Sequence, residues 1–588
     1  MGYGSLHWNL TTRTFSLSSL MLRSYITNTF ISVPVLLFIT RTVPIVVAMA
    51  SSSSSSSYKS NNPAMLLSDD LIEELTSQVN DFAAARGLQV EHKDKVNDDG
   101  SKLLVTAPIS LFPNAYPASS FRRGQILAPS FNLLVERISR DAVWLNETLS
   151  DTGVADVDPF TGRLLKMFQD IYCVEGAGKF AKKADRLGIL RSDYMLHNNN
   201  ELKQVELNTI ASSFAGLAAT VANFHRQLVT RVANEDESIR HWLEENKKAV
   251  LGSSSTLISE EDGVPENPAL TCLPSAMNVA HRRYIEKFGV ESSAEPVVLF
   301  VVQDGETNTV DQRMLELELA LHHQISVVRM SLTSGYTNLL LNESDGSLKV
   351  LLDDGTAREV SLAYFRAGYA PTDYPGKNDE EWATREKIEL SRATKCPCLG
   401  YHLAGTKKVQ QALARPGNVE RFFSGDELVN ITPLIREAFA GLFSLGADAT
   451  EFDKSAVNDA LSGNEANYVL KPQREGGGYN FYSDRLATKL RENVSKDLIL
   501  SNELAEFILM ERLFPPKQMA YLLRSGKVEG YGESISELGC FGTIVSSDDG
   551  EVLHNEYSGF LLRTKFSGVD EGGVASGFAT LSSPYLCN

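Results

Sequence analysis

Residues 471–482 read Lys-Pro-Gln-Arg-Glu-Gly-Gly-Gly-Tyr-Asn-Phe-Tyr. The proline forbids a helix, and consecutive glycines cost stability unless the backbone bends sharply or comes close to another group. Backbone N–H groups in such a loop can converge on an anion such as phosphate. Lys471 adds a point charge, and Glu475 adds a hard oxygen ligand of the kind that Mg²⁺ prefers. The stretch therefore predicts a nucleotide-binding loop, although the glycines alone would equally suit a flexible surface loop.

Composition and charge restrict the class of protein. The chain has 588 residues, 43% hydrophobic and 22% charged, as expected of a globular protein with two or more coupled subdomains. Its net charge of −18 argues against nucleic acid or an anionic membrane as the main partner. An anionic substrate would therefore need a locally basic pocket. The six cysteines are sparse and irregularly spaced, which favours reduced thiols over a disulfide framework.

The N-terminal segment differs in composition from the rest of the chain. Residues 1–64 contain no Asp or Glu but carry three arginines, one lysine and a long serine run. This pattern is typical of an organellar transit peptide, for a plastid or a mitochondrion, followed by a linker. A membrane anchor at 30–50 is an alternative, but two prolines and an arginine divide it into pieces shorter than the ~20 residues of a span. Met49 offers an internal start for a cytosolic form, and 65–588 forms the predicted folded body.

The body alternates strand and helix patterns. An unbroken apolar run at 297–302, a helical pattern at 311–323 and an apolar run at 325–330 predict a β–α–β unit with parallel strands. Runs at 339–341 and 350–352 flank an Asp-Gly pair and predict a hairpin. The predicted fold class is therefore α/β, with a parallel core and an antiparallel or mixed addition near the C-terminus.

Glu206 and Asn208 are candidate metal ligands. They lie two residues apart in a pattern that alternates as a strand does, so both side chains face the same side. With Glu475 they would offer the all-oxygen coordination that Mg²⁺ prefers. Glu-x-Asn alone is weak evidence, because a solvated strand face often produces it.

Basic residues in other dense polar clusters complete the candidate site. The arginines suit carboxylates and the lysines suit phosphates. These candidates are Arg191, Arg366 and Arg563 in the first group, and Lys407, Lys471 and Lys565 in the second. A double lysine such as Lys407-Lys408 is usually surface charge, which remains the alternative there. Carboxylate clamps beside a Mg-nucleotide site indicate ATP-driven activation of a carboxylate.

Seven segments together resemble eukaryotic glutathione synthetases, in particular plant ones, which belong to the ATP-grasp superfamily. In chain order these segments are 191–195, 204–214, 364–369, 403–410, 471–480, 535–539 and 561–575. The resemblance covers the body from about residue 70 to the C-terminus. It implies an ATP-grasp fold whose ATP site lies between two antiparallel sheets, one of them in a mobile lid. The implied divisions are a nested parallel-sheet substrate-binding domain at 297–404 and an ATP-grasp region at 405–588, with the lid at about 445–532.

The resemblance also implies an activity and partners. These are a homodimer that joins γ-glutamylcysteine to glycine, ATP as co-substrate and one or two Mg²⁺ ions per subunit, with neither nucleic acid nor membrane as a partner. The implied catalytic residues are Arg563, Lys471 and Lys407, and the implied magnesium ligands are Glu206, Asn208 and Glu475.

The remaining implied site residues bind ATP or the peptide substrate. The ATP residues are Glu206, Lys407, Lys471, Glu475, Gly476, Gly477, Gly478, Tyr479, Asn480, Tyr482, Met510, Glu511, Arg512, Leu513, Glu537, Lys565 and Glu571. The substrate residues are Arg191, Ile210, Ala211, Ser212, Ser213, Glu306, Thr307, Asn308, Gln312, Arg366, Ala367, Gly368, Tyr369, Arg563, Val574 and Ala575.

Three positions depart from the family pattern, and two alternatives remain. Ala211 stands where serine is frequent, Glu571 where aspartate is expected, and Thr307 where some members have arginine. One alternative is a sister ligase that uses β-alanine or serine, although Ala575 and Ser576 are small, as in glycine users. The other is a non-catalytic ATP-binding scaffold, whose expected signature is loss of a metal ligand or a phosphate lysine.

Overall fold

The computed structural model describes residues 67–232, 236–252, 262–289, 295–473, 479–570, 572–574 and 576–588. The predicted transit peptide and the internal start at Met49 lie outside these ranges. The described α-helices are α1 Asp69–Arg86, α2 Ala118–Ile138, α3 Ala142–Leu149, α4 Val154–Val157, α5 Pro159–Phe168, α6 Ala215–Val232, α7 Glu237–Leu251, α8 Ala269–Phe288, α9 Thr309–His323, α10 Leu332–Asn338, α11 Glu380–Leu390, α12 Leu399–Ala404, α13 Lys407–Ala414, α14 Gly425–Asn430, α15 Thr432–Ala438, α16 Glu451–Asp459 and α17 Ser483–Asn493.

The strands are numbered in the same way. They are β1 Gln89–Val96, β2 Lys102–Thr106, β3 Ile109–Ser110, β4 Asn114–Pro117, β5 Arg186–His197, β6 Glu201–Asn208, β7 Val297–Val301, β8 Val327–Met330, β9 Leu339–Leu341, β10 Leu348–Leu351, β11 Ala357–Phe365, β12 Thr394–Cys396, β13 Leu442–Ser444, β14 Tyr468–Pro472, β15 Phe481–Tyr482, β16 Phe507–Glu511, β17 Gln518–Arg524, β18 Lys527–Ser546, β19 Val552–Phe566, β20 Thr580–Ser582 and β21 Pro584–Cys587.

A 13-stranded mixed sheet forms the centre of the body. Its antiparallel part contains β6, β5, β18 and β19 as successive neighbours. Its parallel part contains β12, β11, β7 and β8, and β9 and β10 form an antiparallel hairpin beside β11. The predicted β–α–β unit is confirmed as β7, α9 and β8, and the predicted hairpin is confirmed as β9 and β10. The fold class is α/β, as expected.

Helices cover both faces of this sheet. α2 packs against β5, β18 and β19, and α6 and α8 pack against strands of the same sheet in a second apolar core. Burial of these apolar side chains is the main stabilising term, at about 25 cal/mol per Å² removed from water. Within the described ranges, no helix combines the length and apolar character needed to cross a membrane.

A separate four-stranded antiparallel sheet has the order β13-β16-β14-β15. It has an apolar core of its own, formed with α16 and α17 by residues such as Leu445, Val457, Leu470, Leu486 and Leu509. The range 445–532, predicted as a lid, contains strands of both sheets, because β17 and the start of β18 pair within the large sheet. Pro515 and Pro516 follow β16, and proline cannot donate a ladder hydrogen bond, so the small sheet ends before β17.

Candidate active site

A cavity of about 410 Å³ lies between the small sheet and the antiparallel part of the large sheet. The large sheet supplies charged residues from four neighbouring strands, and on each strand two of the facing residues are two positions apart. These pairs are Glu206 and Asn208 on β6, Ile535 and Glu537 on β18, Arg563 and Lys565 on β19, and, on β5, Arg191 and the fully buried Asp193. Because side chains alternate along a strand, each pair projects from the same face. The polar floor of the cavity is therefore a product of simple strand alternation.

The cavity is basic although the protein is acidic. Among its described lining residues seven are Lys or Arg and four are Asp or Glu, against a net charge of −18 for the whole chain. The cations come from both sheets and from the segments beside them: Arg191, Lys407, Lys471, Arg512, Lys517, Arg563 and Lys565. This is the local basic pocket that an anionic substrate requires.

Two of the three predicted phosphate lysines, Lys407 and Lys471, approach the cavity from different elements. Lys407 begins α13 and is 4% exposed, and its Nζ lies 2.9 Å from Oε2 of Glu206. Lys471 on β14 is 6% exposed, and its Nζ donates to the carbonyl of Val205 at 3.0 Å. The neighbouring Lys408 is also buried, contrary to the surface-charge alternative, because its Nζ contacts both carboxylate oxygens of Asp448 at 2.7 Å.

Glu206 is held in its ionised form. Burial by itself would raise the pKa of Glu206, but Lys407, Lys471 and Arg563 together bring that pKa well below its usual range. A carboxylate that stays charged throughout the neutral pH range can serve as a constant cation ligand.

Three carboxylates converge beside these cations. Oxygens of Asp193, Glu206 and Glu537 lie within 4.8 Å of one another. Burial and the nearby charges of Asp193 and Glu206 raise the pKa of Glu537, although Arg563 opposes this shift. The concentration of hard oxygen donors and negative charge fits a divalent cation such as Mg²⁺. Of the predicted ligands, Glu206 and Asn208 line the cavity, and Glu475 lies outside the described residues.

The depressed pKa of Glu206 predicts a specific effect on acid stability. Its folded-state pKa lies below the unfolded value, so the stability it contributes is present above about pH 4.5 and is lost as pH falls through the folded pKa. A Glu206→Gln variant should therefore lose less unfolding free energy than the wild type between about pH 5 and pH 3. Urea unfolding at each pH measures this, with Glu437→Gln, whose carboxylate is 66% exposed, as the control. Equal pH slopes for wild type and Glu206→Gln would contradict the assignment.

The segment between β6 and α6 forms another wall. Ala211 has φ 51° and Phe214 has φ 74°, a left-handed conformation that is strained for residues with a side chain. The carboxylate of Asp311 accepts from the backbone N–H of Phe214 at 2.8 Å and of Gly216 at 2.9 Å, which holds the segment at the start of α6. Arg366 donates to Oγ of Ser213 at 2.7 Å. Strain retained by several buried contacts is typical of a functional segment.

The structure brings most predicted site residues to one cavity. Those that line it are Arg191, Glu206, Asn208, Ile210, Ala211, Ser212, Ser213, Tyr369, Lys407, Lys471, Asn480, Tyr482, Met510, Glu511, Arg512, Leu513, Glu537, Arg563, Lys565 and Val574. Seven predicted substrate residues are not among the described lining residues: Glu306, Thr307, Asn308, Gln312, Arg366, Ala367 and Gly368. Tyr479, a predicted ATP residue, is 69% exposed and is also absent from this described wall. Glu475, Gly476, Gly477, Gly478, Glu571 and Ala575 lie outside the described residues.

The residues away from the wall form a supporting network. At the start of α9, Glu306 accepts from the Asn308 backbone N–H at 2.7 Å and from Nε2 of Gln312 at 2.5 Å. Arg366 is 3% exposed and reaches the wall through its hydrogen bond to Ser213.

The structure also shows site features that the sequence reasoning missed. Asp193 was overlooked, although the alternation that selected Glu206 and Asn208 also places Asp193 on the same face as Arg191. Asp570 also lines the cavity and accepts from Arg512 at 2.8 Å. The predicted residues Met510 and Leu513 belong to an apolar part of the wall whose other members, Met195, Val205, Val469 and Ile535, were not predicted as site residues. An apolar slot beside a basic floor suits a nucleotide, with the base in the slot and the phosphates on the floor.

Comparison with known proteins agrees with this geometry. A family model described as "Eukaryotic glutathione synthase, ATP binding domain" matches residues 69–586. The chloroplastic glutathione synthetase of Solanum lycopersicum is 37% identical over 528 residues, which cover 88% of this chain and 85% of that protein. The glutathione synthetase of Dictyostelium discoideum is 35% identical over 526 residues, which cover 88% of this chain and 100% of that protein.

A solved structure shares the fold. It is a glutathione synthetase-like effector from Globodera pallida in its apo form, with a TM-score of 0.63 at 20% identity, and the match covers 90% of this chain and 100% of that one. With the family model matched over nearly the whole body and relatives above 30% identity, the chain belongs to the eukaryotic glutathione synthase family.

Proposed function

We propose that this protein is a glutathione synthase that joins γ-glutamylcysteine to glycine and converts ATP to ADP and phosphate. The observation that carries the proposal is the basic cavity between the small sheet and the antiparallel part of the large sheet, where Lys407, Lys471 and Arg563 surround the charge of Glu206 closely enough to lower its pKa. Family membership supports the same activity, because the matched relatives are named glutathione synthetases.

The reaction needs no side-chain nucleophile. An oxygen of the cysteinyl carboxylate attacks the γ-phosphorus of ATP, the bond to ADP breaks, and an acyl phosphate forms. The glycine amine then attacks the acyl carbon and loses a proton to solvent, and phosphate leaves with one former carboxylate oxygen. The protein contributes by positioning the reactants and by stabilising the developing negative charge.

The residues of the cavity divide these tasks. Lys407, Lys471 and Lys565 line the cavity and would hold phosphate oxygens, and Arg563, which also lines it, would contact the reacting carboxylate. Glu206 and Asn208, together with Glu475, would hold Mg²⁺, which supplies charge neutralisation to the phosphates when it is bound. Enclosure between the two sheets limits water, which would otherwise hydrolyse the acyl phosphate.

Glycine is the acceptor in this proposal. The segment beside Val574 in the cavity wall continues with the small residues Ala575 and Ser576, as in glycine users. One methylene in a pocket changes the transition-state energy by about 1–3 kcal/mol, so kcat/KM for glycine should exceed that for β-alanine or serine by about 10–200-fold. A coupled ADP-release assay with each acceptor measures this. Equal or faster use of β-alanine or serine would favour the sister ligase, and ATP binding without turnover would favour a scaffold.

Targeting and assembly belong to the same proposal. The relative from tomato is named chloroplastic, and residues 1–64 have the acid-free composition of a transit peptide, which supports plastid targeting. Fusion of residues 1–64 to a fluorescent protein should direct it to plastids, and a cytosolic signal from that fusion would contradict this. The homodimer is supported only by the family resemblance, and sedimentation at twice the subunit mass would verify it.

A further inference from the structure

Asp193 is a buried carboxylate that contacts three residues of the cavity wall: Arg191, Asn208 and Arg563. It is 0% exposed, and two of its contacts come from Arg191, whose Nε lies 2.7 Å from Oδ1 and whose Nη2 lies 2.9 Å from Oδ2. Oδ2 also accepts from Nδ2 of Asn208 at 2.9 Å and from Nη2 of Arg563 at 2.9 Å. These contacts join three of the four strands that form the floor.

These contacts distinguish Asp193 from a metal ligand. An ionised carboxylate only accepts hydrogen bonds, and Asp193 accepts four, one at Oδ1 and three at Oδ2. Three of them come from two arginines, so the negative charge is matched within the protein. Glu206, which lies close by, has a side chain that is 23% exposed and is better placed to contact a cation in the cavity.

The orientation of the Asn208 amide follows from the same contacts. Its nitrogen donates to Asp193 and, at 3.2 Å, to the backbone carbonyl of Arg191. Both of these groups are acceptors only, so the side-chain nitrogen of Asn208 must face them. The amide oxygen of Asn208 is therefore the atom that remains for a cation.

On the neighbouring strand β18, Gly539 leaves room for the side chains of Asp193 and Arg191. Gly539 on β18 lies directly opposite Asp193. A Cβ at Gly539 would lie 2.6 Å from Oδ1 of Asp193 and 2.7 Å from Cδ of Arg191. The close approach of these side chains to the backbone accounts for the glycine.

We propose that Asp193 is a positioning residue that links the arginines for the peptide substrate to the magnesium position. It aligns Arg191 and Arg563 for the carboxylates of the peptide substrate, and it turns the amide oxygen of Asn208 towards the magnesium position. This inference rests on the proposed function for the identity of the ligands.

The test is Asp193→Asn in the full chain. The replacement amide is isosteric, but its NH₂ cannot accept, so it opposes a donor of Arg191, Arg563 or Asn208. The KM for γ-glutamylcysteine and the Mg²⁺ concentration for half-maximal rate should both rise by about 10–100-fold, as is usual when a group that orients ligands is changed. Mn²⁺ affinity, measured by electron paramagnetic resonance with a non-hydrolysable ATP analogue, should weaken by a similar factor.

The control is Asp262→Asn. The carboxylate of Asp262 is also 0% exposed and lies 2.6 Å from Nζ of Lys247, which does not line the described cavity, whereas the partners of Asp193 do line it. A purely structural role for Asp193 would lower the melting temperature in both variants and leave KM and Mn²⁺ affinity unchanged. Unchanged KM and Mn²⁺ affinity in Asp193→Asn, or equal changes in Asp262→Asn, would overturn the proposal.

Two further variants make the test more specific. In Asp193→Asn with Asn208→Asp, the donor and acceptor between these two positions are exchanged and a hard oxygen again faces the cation. The Mg²⁺ concentration for half-maximal rate should therefore fall part of the way back, because the carboxylate at position 208 also faces the backbone carbonyl of Arg191, while the KM for γ-glutamylcysteine stays high. If the Mg²⁺ concentration for half-maximal rate stays as high as in Asp193→Asn, Asp193 does not act by orienting the amide of Asn208. If Asp193→Asn does not fold, Gly539→Ala should raise the same KM by displacing Asp193 and Arg191, and an unchanged KM there would overturn the proposal.

The outcome also separates this inference from the proposed function. If the wild type fails to ligate γ-glutamylcysteine and glycine, the proposed function fails, and the Mn²⁺ measurement still reports on Asp193. If the wild type ligates normally and Asp193→Asn behaves like it, only the inference about Asp193 fails.

Discussion

Lys471→Met is expected to reduce ATP-dependent ligation by about 1,000-fold while the protein stays folded. Removing one preorganised donor to a developing negative charge costs about 10²–10³ in rate, and Lys471 also carries a full positive charge that helps to hold Glu206 ionised. Methionine has a similar length and an apolar stem, so it fills the same buried space. ADP release in the presence of both substrates measures the rate, and circular dichroism measures folding.

A matched control for Lys471→Met is available in the segment that follows α17, a helix that packs against the small sheet. Lys496 follows α17, is exposed and is not among the described cavity residues, so Lys496→Met should keep wild-type activity. Wild-type turnover in Lys471→Met would refute the assignment of this lysine to phosphate. Loss of activity in Lys496→Met would indicate that any lysine change on this element is damaging.

Arg563→Met is expected to affect activity and stability together. Arg563 donates to Asp193 at 2.9 Å and to Glu537, so its removal leaves buried carboxylates beside Glu206 with less compensating charge. Breaking a buried ion pair in this way costs about 3–5 kcal/mol of folding stability. Ligation should fall by at least about 100-fold, because a charge beside the reacting carboxylate is lost.

Magnesium distinguishes this explanation from simple loss of packing. A divalent cation would bind more favourably to the carboxylate group once Arg563 is absent, so millimolar Mg²⁺ should raise the melting temperature of Arg563→Met more than that of the wild type. Arg524→Met, which removes a surface pair with Glu529, should change stability by about 1 kcal/mol or less. An Arg563→Met protein as stable as the wild type, with no added response to Mg²⁺, would contradict the account.

Strand alternation predicted the part of the site that lies on single strands. The Glu206 and Asn208 pair and the β–α–β unit from 297 to 330 both follow from patterns over a few residues, and both are present. Asp193 could have been found by the same rule on β5. Its contact with Arg563 could not, because it depends on the pairing of β5, β18 and β19 across 370 residues of sequence.

Other features depended on long-range packing that the sequence does not display. Lys408 resembles surface charge until Asp448, 40 residues later, is seen to contact it in the interior. The predicted lid range of 445–532 followed from the family resemblance, and the apolar pattern of β17 does not show whether that strand pairs with the small sheet or the large one. Only the three-dimensional structure shows that β17 pairs with β3 and β18 in the large sheet.

Transfer of a labelled oxygen tests the central claim most directly. The protein is incubated with ATP, Mg²⁺, glycine and γ-glutamylcysteine whose cysteinyl carboxylate carries ¹⁸O at both oxygens, and the products are analysed by mass spectrometry. The account predicts that each glutathione formed is accompanied by one inorganic phosphate that contains one ¹⁸O atom. Glutathione formed with no ¹⁸O in the phosphate, or ATP hydrolysed with no glutathione formed, would contradict it.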